Sequence, residues 1–233
     1  IFKSLALDYK KNNDLKRSKI EAEKIFELDK TNLWANEFLL SLAEETEDWD
    51  YAEKKAKDLK KIKGYKGDVN LSKYTLQKGV IHLEKNNLID AERLFREVVT
   101  ESPDFAMSYK YLGDIKSSDR DLVKAVEYWE KYMELSPSES HLVFDNIETA
   151  LFDLGRYSEV EKFYKKVLEN NPKDLNAGLR LANVLNEKGE NKAAIDLIDS
   201  FISIENPSVL VMLMKLKLSL SSKTPAELGH YID

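Results

Sequence analysis

Small and aromatic residues recur along this chain at a nearly constant interval. Ala91 and Ala125 are 34 residues apart, and so are Phe95 and Trp129. A small residue is needed where two helices approach closely, and an aromatic side chain further along fills the gap to the next pair of helices. Polar breaks rich in Asn, Asp and Gly separate the apolar stretches. The pattern therefore predicts a succession of short antiparallel helices joined by tight turns.

Prolines and turn residues repeat at the same interval. The prolines are Pro103, Pro137, Pro172 and Pro207, spaced 34, 35 and 35 residues apart. Proline ends a helix because it lacks the N–H and disfavours helix in the preceding residue. The turns inside hairpins are predicted at Asn12–Asp14, Asp48, Asn86–Asn87, Ser118–Asp121, Gly155 and Gly189, because Asn and Gly tolerate a left-handed backbone. The predicted repeats lie near 1–31, 33–66, 72–105, 106–140, 141–174 and 175–208, with a partial repeat over 209–233.

One small residue of the second helix in each repeat marks the close contact within the hairpin. These residues are Ser18, Ala52, Ala91, Ala125, Val160 and Ala194. The interval from Ala52 to Ala91 is 39 residues, which is five more than the repeat interval of 34 residues. The excess lies between Leu59 and Ser72 and predicts a lengthened second helix followed by a loop.

The last predicted repeat is incomplete. Val209–Leu220 is a strongly apolar helix, and Thr224 and Pro225 fit the cap and the first position of a following helix. A repeat array normally ends in a polar capping helix. Since the chain also begins with Ile1, we expect both ends to be boundaries of a fragment.

Composition excludes several classes of protein. The 233 residues contain no cysteine, which excludes disulfides, thiolate zinc sites and cysteine nucleophiles in this segment. No stretch of 18 apolar residues and no signal peptide is present. A net charge of −6 argues against nucleic acid as a partner.

Charge is nevertheless uneven along the chain. An acidic run holds Glu44, Glu45, Glu47, Asp48 and Asp50, and a basic run holds Lys54, Lys55, Lys57, Lys60, Lys61, Lys63 and Lys66. We predict a solvated helix with acids near its start and lysines near its end, as the helix dipole favours. A patch that faces an anionic membrane surface or an acidic partner is the alternative.

The period of about 34 residues resembles the tetratricopeptide repeat. The resemblance implies an all-α, right-handed superhelical solenoid of antiparallel helix hairpins, with about six repeats forming a single domain over 1–233. It also implies that the first helix of each repeat lines a concave groove that binds a protein or peptide. The predicted partner-binding residues are Lys110, Tyr111, Asp114, Asn146, Thr149, Asn176, Arg180 and Asn183.

Three of these residues match positions of the carboxylate clamp that chaperone-binding relatives use. Lys110, Asn146 and Arg180 agree with the clamp, whereas Asp114 replaces an Asn and Asn176 replaces a Lys. An acid in the clamp would repel a C-terminal carboxylate. We therefore expect long amides and an arginine to bind an extended peptide along its backbone.

The order of features is also similar to one bacterial family, lipopolysaccharide assembly protein B. The resemblance is carried by Asp48–Ala52, the lengthened linker, the segment Asn183–Gly189, Ala193–Asp196 and Asn206–Leu220. It implies a cytoplasmic scaffold at the inner membrane, held there by an N-terminal anchor that is absent from this sequence. The implied partners are a membrane AAA protease and an enzyme of lipid A biosynthesis.

No catalytic or metal site is predicted. The histidines His82, His141 and His230 each stand alone, without the spacing of a metal or acid–base pair. His82 is expected to pack inside the fold, and His141 to open a helix. We expect a non-catalytic adaptor without a cofactor. The alternatives are a peptide-binding repeat module of another assembly, secretion or chaperone system, and an accessory arm of an enzyme.

Overall fold

The structure, a computed structural model, describes residues 1–62, 65, 67, 70–202 and 208–221. Thirteen α-helices and one 3₁₀ helix, Pro137–Val143, form the described chain, which has no strand. The α-helices are α1 (Phe2–Lys11), α2 (Leu15–Leu28), α3 (Leu33–Glu45), α4 (Trp49–Lys61), α5 (Leu71–Glu84), α6 (Leu88–Glu101), α7 (Ala106–Ser118), α8 (Leu122–Leu135), α9 (Phe144–Asp153), α10 (Tyr157–Asn170), α11 (Leu175–Glu187), α12 (Asn191–Asp199) and α13 (Val209–Ser221). The prediction of an all-α chain of helix hairpins is confirmed. Pro207, Thr224, Pro225 and His230 lie outside the described residues.

Each hairpin turns at one residue with a positive φ angle. These residues are Asn13, Glu47, Asn86, Arg120, Gly155 and Gly189. All six lie within or directly beside the predicted turns. Asn and Gly accept this conformation easily, whereas Glu47 and Arg120 adopt it at a steric cost.

The residue predicted at the close contact of each hairpin is buried. Ala52, Ala91, Ala125 and Ala194 are fully buried, and so are Ser18 and Val160 to within 1%. The Ser18 hydroxyl donates a hydrogen bond of 2.8 Å to the carbonyl oxygen of Ala6, which satisfies this polar group in the interior.

The chain divides into two compact units, residues 1–115 and 116–233. In the first unit, one apolar cluster contains Ala6, Ala22 and Leu39, and a second contains Ala43, Ala52, Ala56 and Tyr74. In the second unit, Phe144 of α9 meets the rings of Phe163 and Tyr164 of α10 edge to face, at 5.8 and 5.7 Å between ring centres. Trp129 is buried beside them in the core of this unit, as its spacing predicted. The single-domain organisation stays a prediction.

The predicted lengthening of the fourth helix is wrong. α4 ends at Lys61, and Ile62 already has an extended backbone with a ψ angle of 121°. The last buried residue of α4 is Leu59, two residues before the end of the helix. The additional residues therefore follow the helix instead of extending it.

The segment after Pro137 also differs from the prediction. Residues Pro137–Val143 form a 3₁₀ helix that includes His141, and α9 begins only at Phe144. Glu139 anchors this segment to the end of α8, because its carboxylate accepts hydrogen bonds from the hydroxyls of Tyr132 at 3.3 Å and Ser136 at 3.2 Å. As a result α9 has 10 residues, whereas α7 and α11 have 13.

Candidate functional site

The first helices of successive repeats lie side by side in the second unit. Arg180 of α11 contacts two acids of α9, with 2.6 Å to Asp145 and 3.0 Å to Glu148. One repeat further on, Lys217 of α13 donates a hydrogen bond of 2.9 Å to the side-chain oxygen of Asn183. Helices α9, α11 and α13 thus form one continuous row, and the predicted binding residues of this unit lie along it.

Arg180 is held in place by an internal network. Glu148 accepts a second hydrogen bond, of 2.6 Å, from the Tyr164 hydroxyl. Burial, together with the neighbouring Glu148, raises the pKa of Tyr164 far above the usual tyrosine value, so this hydroxyl remains a donor. About a third of the Arg180 side chain is still exposed. The positive charge of Arg180 is already balanced by the salt bridges to Asp145 and Glu148.

Asn146 and Thr149 line a cavity of about 260 Å³. Its other walls include Leu122 and Trp129 of α8 and the acids Asp145 and Asp153 of α9. Thr149 is exposed and Asn146 is half-buried. The cavity offers hydroxyl, amide and carboxylate groups above an aromatic floor, a combination suited to a polar side chain of a partner.

Two asparagines of α11 present amides along the same row. Asn176 is exposed, and its side chain makes no hydrogen bond within the described residues. Asn183 is half-buried and accepts from Lys217, so its NH₂ group remains directed to other acceptors. An amide both donates and accepts, which matches the alternating groups of a peptide backbone.

The predicted residues of the first unit lie on α7. Lys110 forms a salt bridge of 2.8 Å with Asp114. The ring of Tyr111 is half-buried and stacks on Phe95 of α6, with 4.9 Å between ring centres and 16° between ring planes. One face of the Tyr111 ring thus belongs to the core packing, and its predicted role in partner binding stays a prediction. Helical register alone does not show which neighbour an aromatic ring will meet.

Both cations of the predicted clamp are paired with acids of this chain. Lys110 is paired with Asp114, and Arg180 with Asp145 and Glu148. A carboxylate ligand would have to displace these acids or lie beside them. The pairing therefore agrees with the expectation that the groove does not select a terminal carboxylate. Glu148 was missed in the sequence, although an acid one repeat before an arginine is a usable signal for such a bridge.

Several residues of the acidic and basic runs around α4 are paired within this chain, whereas Lys63 and Lys66 lie outside the described residues. Asp48 caps α4 by accepting from the backbone N–H of Tyr51, Glu44 pairs with Lys73, and Glu53 pairs with Lys57 and Lys78. This arrangement agrees with the solvated, dipole-matched helix.

Lys55 is the exception within the basic run. Only 1% of its side chain is exposed, and its ammonium nitrogen lies 3.1 Å from the ring centre of Phe26 and 3.2 Å from Asp58. Burial lowers the pKa of Lys55 below the usual lysine value, against the opposing effect of Asp58. Sequence analysis placed this lysine on the solvated face.

No metal or membrane-spanning feature appears in the part of the chain that the structure describes. No three His, Asp or Glu side chains are grouped as metal ligands among those residues. His82 is 37% exposed at the end of α5, where Asn87 contacts its ring at 3.2 Å, so it is less buried than expected. The most apolar helix, α13, has 13 residues, and no described helix combines the length and apolar character needed to span a bilayer.

Comparison with known proteins finds a repeat family that matches part of this chain. Residues 151–207 match the tetratricopeptide repeat family. The human Protein O-mannosyl-transferase TMTC3 is 28% identical over 124 residues, which are 53% of this chain and 13% of that protein. The matched stretch thus covers a small part of that relative's length.

Solved structures with related architecture include a MamA protein and pilF of Pseudomonas aeruginosa. The MamA structure is 17% identical with a TM-score of 0.48, covering 75% of this chain and 92% of that one. The pilF structure is 14% identical with a TM-score of 0.44, covering 93% and 96%. The match to the tetratricopeptide repeat family thus covers residues 151–207, and helix hairpins continue through the rest of the described chain.

Proposed function

We propose that this chain is a non-catalytic adaptor whose first helices bind an extended segment of a partner protein. The observation that carries the proposal is a set of amides on two helices that Arg180 joins. Asn146 lies on α9, and Asn176 and Asn183 lie about two turns apart on α11. The charges in this row are balanced by one another. Amide recognition of a peptide backbone is therefore the chemistry that remains for binding.

We further propose Thr149 of α9 as part of the binding surface of the second unit, and Lys110, Tyr111 and Asp114 of α7 as binding residues of the first unit. The Lys110–Asp114 pair is only partly buried, at 22% and 28% exposure, so both side chains can still contact a ligand. Thr149 contributes an exposed hydroxyl beside the cavity that Asn146 lines. Tyr111 contributes the ring face that is not stacked on Phe95.

Selection of random 12-residue peptides from a phage library on this chain would test the proposal. Selected peptides would be labelled and their Kd measured by fluorescence anisotropy. The variant Asn176→Ala/Asn183→Ala removes two amides, each worth about 0.5–1.5 kcal/mol, so we expect Kd to rise about tenfold. The control Glu101→Ala/Glu169→Ala changes exposed residues of the second helices.

Circular dichroism of both variants separates a lost contact from lost folding. We expect equal helix content and a weaker Kd for the amide variant alone. Unchanged affinity in the amide variant, or equal weakening in both variants, would refute the assignment of the site.

The narrower role, an adaptor of lipopolysaccharide synthesis beside a membrane protease and a lipid A enzyme, stays part of this proposal. Its support is the sequence resemblance around Asp48–Ala52 and the 39-residue interval that follows. A direct test is co-purification of the tagged full-length protein with the protease and the deacetylase of lipid A synthesis from its own cells. Absence of both would leave the generic peptide-binding module of another assembly, secretion or chaperone system.

A second candidate role is an accessory arm of an enzyme. The human relative is by its name an O-mannosyl-transferase, and the similar stretch is 13% of its length. If this role holds, the full-length protein would carry a transferase activity that survives deletion of the repeats at reduced rate. An inactive full-length protein would exclude it.

A further inference from the structure

A cleft between α8 and α10 lies apart from the predicted peptide groove. It consists of two adjoining cavities of about 370 and 270 Å³ in the second unit. Glu130, Phe163 and Lys166 line both cavities, so the cavities form one continuous surface, named here the α8–α10 cleft. Both helices are second helices of their repeats, whereas the groove residues belong to first helices.

The irregular connection after α8 contributes to the cleft. Between α8 and α9, residues Pro137–Val143 form the 3₁₀ helix and delay the start of α9. Pro137 and Ser140 of this segment line one end of the larger cavity. The cleft is thus built at a place where this chain departs from its own repeat.

The floor of the cleft is apolar and well packed. Val126, Phe163 and Val167 line it and are only 6–7% exposed, and Met133 is partly exposed at its edge. A surface of this kind loses little on contact with an apolar partner and gains from the water it releases.

The two walls carry opposite charges. Glu127 and Glu130 lie one turn apart on the α8 wall, and Lys162 and Lys166 lie one turn apart on the α10 wall. None of these four side chains forms a salt bridge within the described chain, although acids and lysines line the same cleft. The α10 side of the cleft also holds Arg156 and Glu159, which form a salt bridge with each other. The charges of Glu127, Glu130, Lys162 and Lys166 are therefore the ones that the cleft offers to a ligand.

We propose that the α8–α10 cleft binds one amphipathic helix of a partner protein. The apolar stripe of that helix faces Phe163 and Val167, its basic flank faces Glu127 and Glu130, and its acidic flank faces Lys162 and Lys166. The α8 wall, Leu122–Leu135, has 14 residues and is about 21 Å long, which is about four turns of a bound helix. This proposal is independent of the peptide groove, because it uses other helices and another ligand conformation.

The test uses three synthetic 18-residue helical peptides with the same leucine stripe. The first has lysines on one flank and glutamates on the other, the second has lysines on both flanks, and the third has glutamates on both. A helix can lie in the cleft in either direction, so flanks of a single sign are the proper controls. Binding to the full chain is measured by fluorescence anisotropy, and we expect the mixed-flank peptide to bind at least tenfold more tightly than either control.

A charge reversal of one wall makes the test specific. Glu127→Lys/Glu130→Lys leaves two basic walls, and we expect the preference to move to the peptide with glutamates on both flanks. The control Glu101→Lys/Glu169→Lys produces the same change in net charge on exposed second-helix residues outside the cleft, and should leave the preference unchanged. Because a gain of binding is expected, a folding defect cannot imitate the result.

Two outcomes would overturn the proposal. One is equal binding of all three peptides, or none, by the unmodified chain. The other is concentration-dependent dimerisation in analytical ultracentrifugation that the wall reversal abolishes, because the cleft would then be covered by a second copy of this chain.

Discussion

Gly79 is a helical position where a methyl group would collide with a buried aromatic ring. A Cβ atom added there would lie 2.6 Å from Cε1 and 2.9 Å from Cδ1 of Phe95. Carbon atoms in contact prefer about 3.5–4.0 Å, so the ring would have to move by about 1 Å. Phe95 is fully buried, and its ring is stacked on Tyr111 at 4.9 Å between ring centres. A shift of the ring would therefore disturb packing elsewhere in the core.

The expected cost is the difference between two opposing effects. Overpacking of a tight core costs about 1–3 kcal/mol. Replacing glycine by alanine inside a helix returns about 1 kcal/mol. Gly79→Ala should thus lower the free energy of unfolding by about 1 kcal/mol. In a Phe95→Leu background the ring is absent, and the same substitution should raise the free energy of unfolding by up to about 1 kcal/mol.

The coupling between the two sites is measured by urea denaturation of four proteins. They are the unmodified chain, Gly79→Ala, Phe95→Leu and the double variant. Far-ultraviolet circular dichroism and tryptophan fluorescence should give coincident transitions, which is the condition for comparing free energies in a repeat array. We expect an interaction energy of about 2 kcal/mol between the two sites. The packing argument fails if Gly79→Ala stabilises the unmodified chain, or if its effect is the same in both backgrounds.

Three further predictions concern other parts of the fold. Ala125→Leu should lower the free energy of unfolding by about 1–3 kcal/mol in urea denaturation, because Ala125 is fully buried between helices; no effect would show that the hairpin can open. Gly155→Ala should cost about 1 kcal/mol through its φ angle of 71° alone, since nothing lies within 4 Å of the added atom, whereas Arg120→Gly should raise the melting temperature slightly by relieving a φ of 63°. Lys55→Met should stabilise the chain at pH 7, and this gain should shrink as the pH approaches 10.5, because burial lowers the pKa of Lys55 and the unfolded chain therefore binds more protons in that interval. Lys54→Met is its exposed control, and a gain independent of pH would contradict the assignment.

Much of the fold was predictable because its requirements are local. The hairpin turn needs a residue with a positive φ angle. Asn and Gly adopt this conformation most easily, and they occupy the turns at Asn13, Asn86, Gly155 and Gly189. The close contact within a hairpin needs a small residue, and Ala91 and Ala125 provide it at the repeat interval. Each of these signals is set within a few residues of the feature it produces.

The irregular connections were not predictable in the same way. The 3₁₀ helix over Pro137–Val143 depends on hydrogen bonds from Tyr132 and Ser136 to Glu139. A capping segment that leads directly into α9 was equally consistent with the same residues. Choosing between the two requires the position of Tyr132 at the end of α8, which only the packed hairpin defines.

The binding surface was predictable only in part, because charge pairing depends on neighbours one repeat away. Register placed Asn146, Asn176 and Arg180 on first helices, and α9 and α11 do lie side by side. Register does not show that Glu148 stands opposite Arg180, nor that Lys55 turns inward onto Phe26. Such contacts join residues about one repeat apart in sequence, so they follow from packing and not from local pattern.

The two proposed surfaces differ in how their charges are used, and this difference makes them separable by salt. In the groove Arg180 is balanced by Asp145 and Glu148, so binding there should depend on hydrogen bonds and change little with ionic strength. In the α8–α10 cleft Glu127, Glu130, Lys162 and Lys166 form no salt bridge within the described residues, so their attraction for a ligand acts through solvent. The screening length falls from about 10 Å at 0.1 M salt to about 3 Å at 1 M. The mixed-flank helix should therefore lose most of its preference at 1 M salt while a groove peptide keeps its Kd, and equal salt dependence of both ligands would show that the two surfaces have not been distinguished.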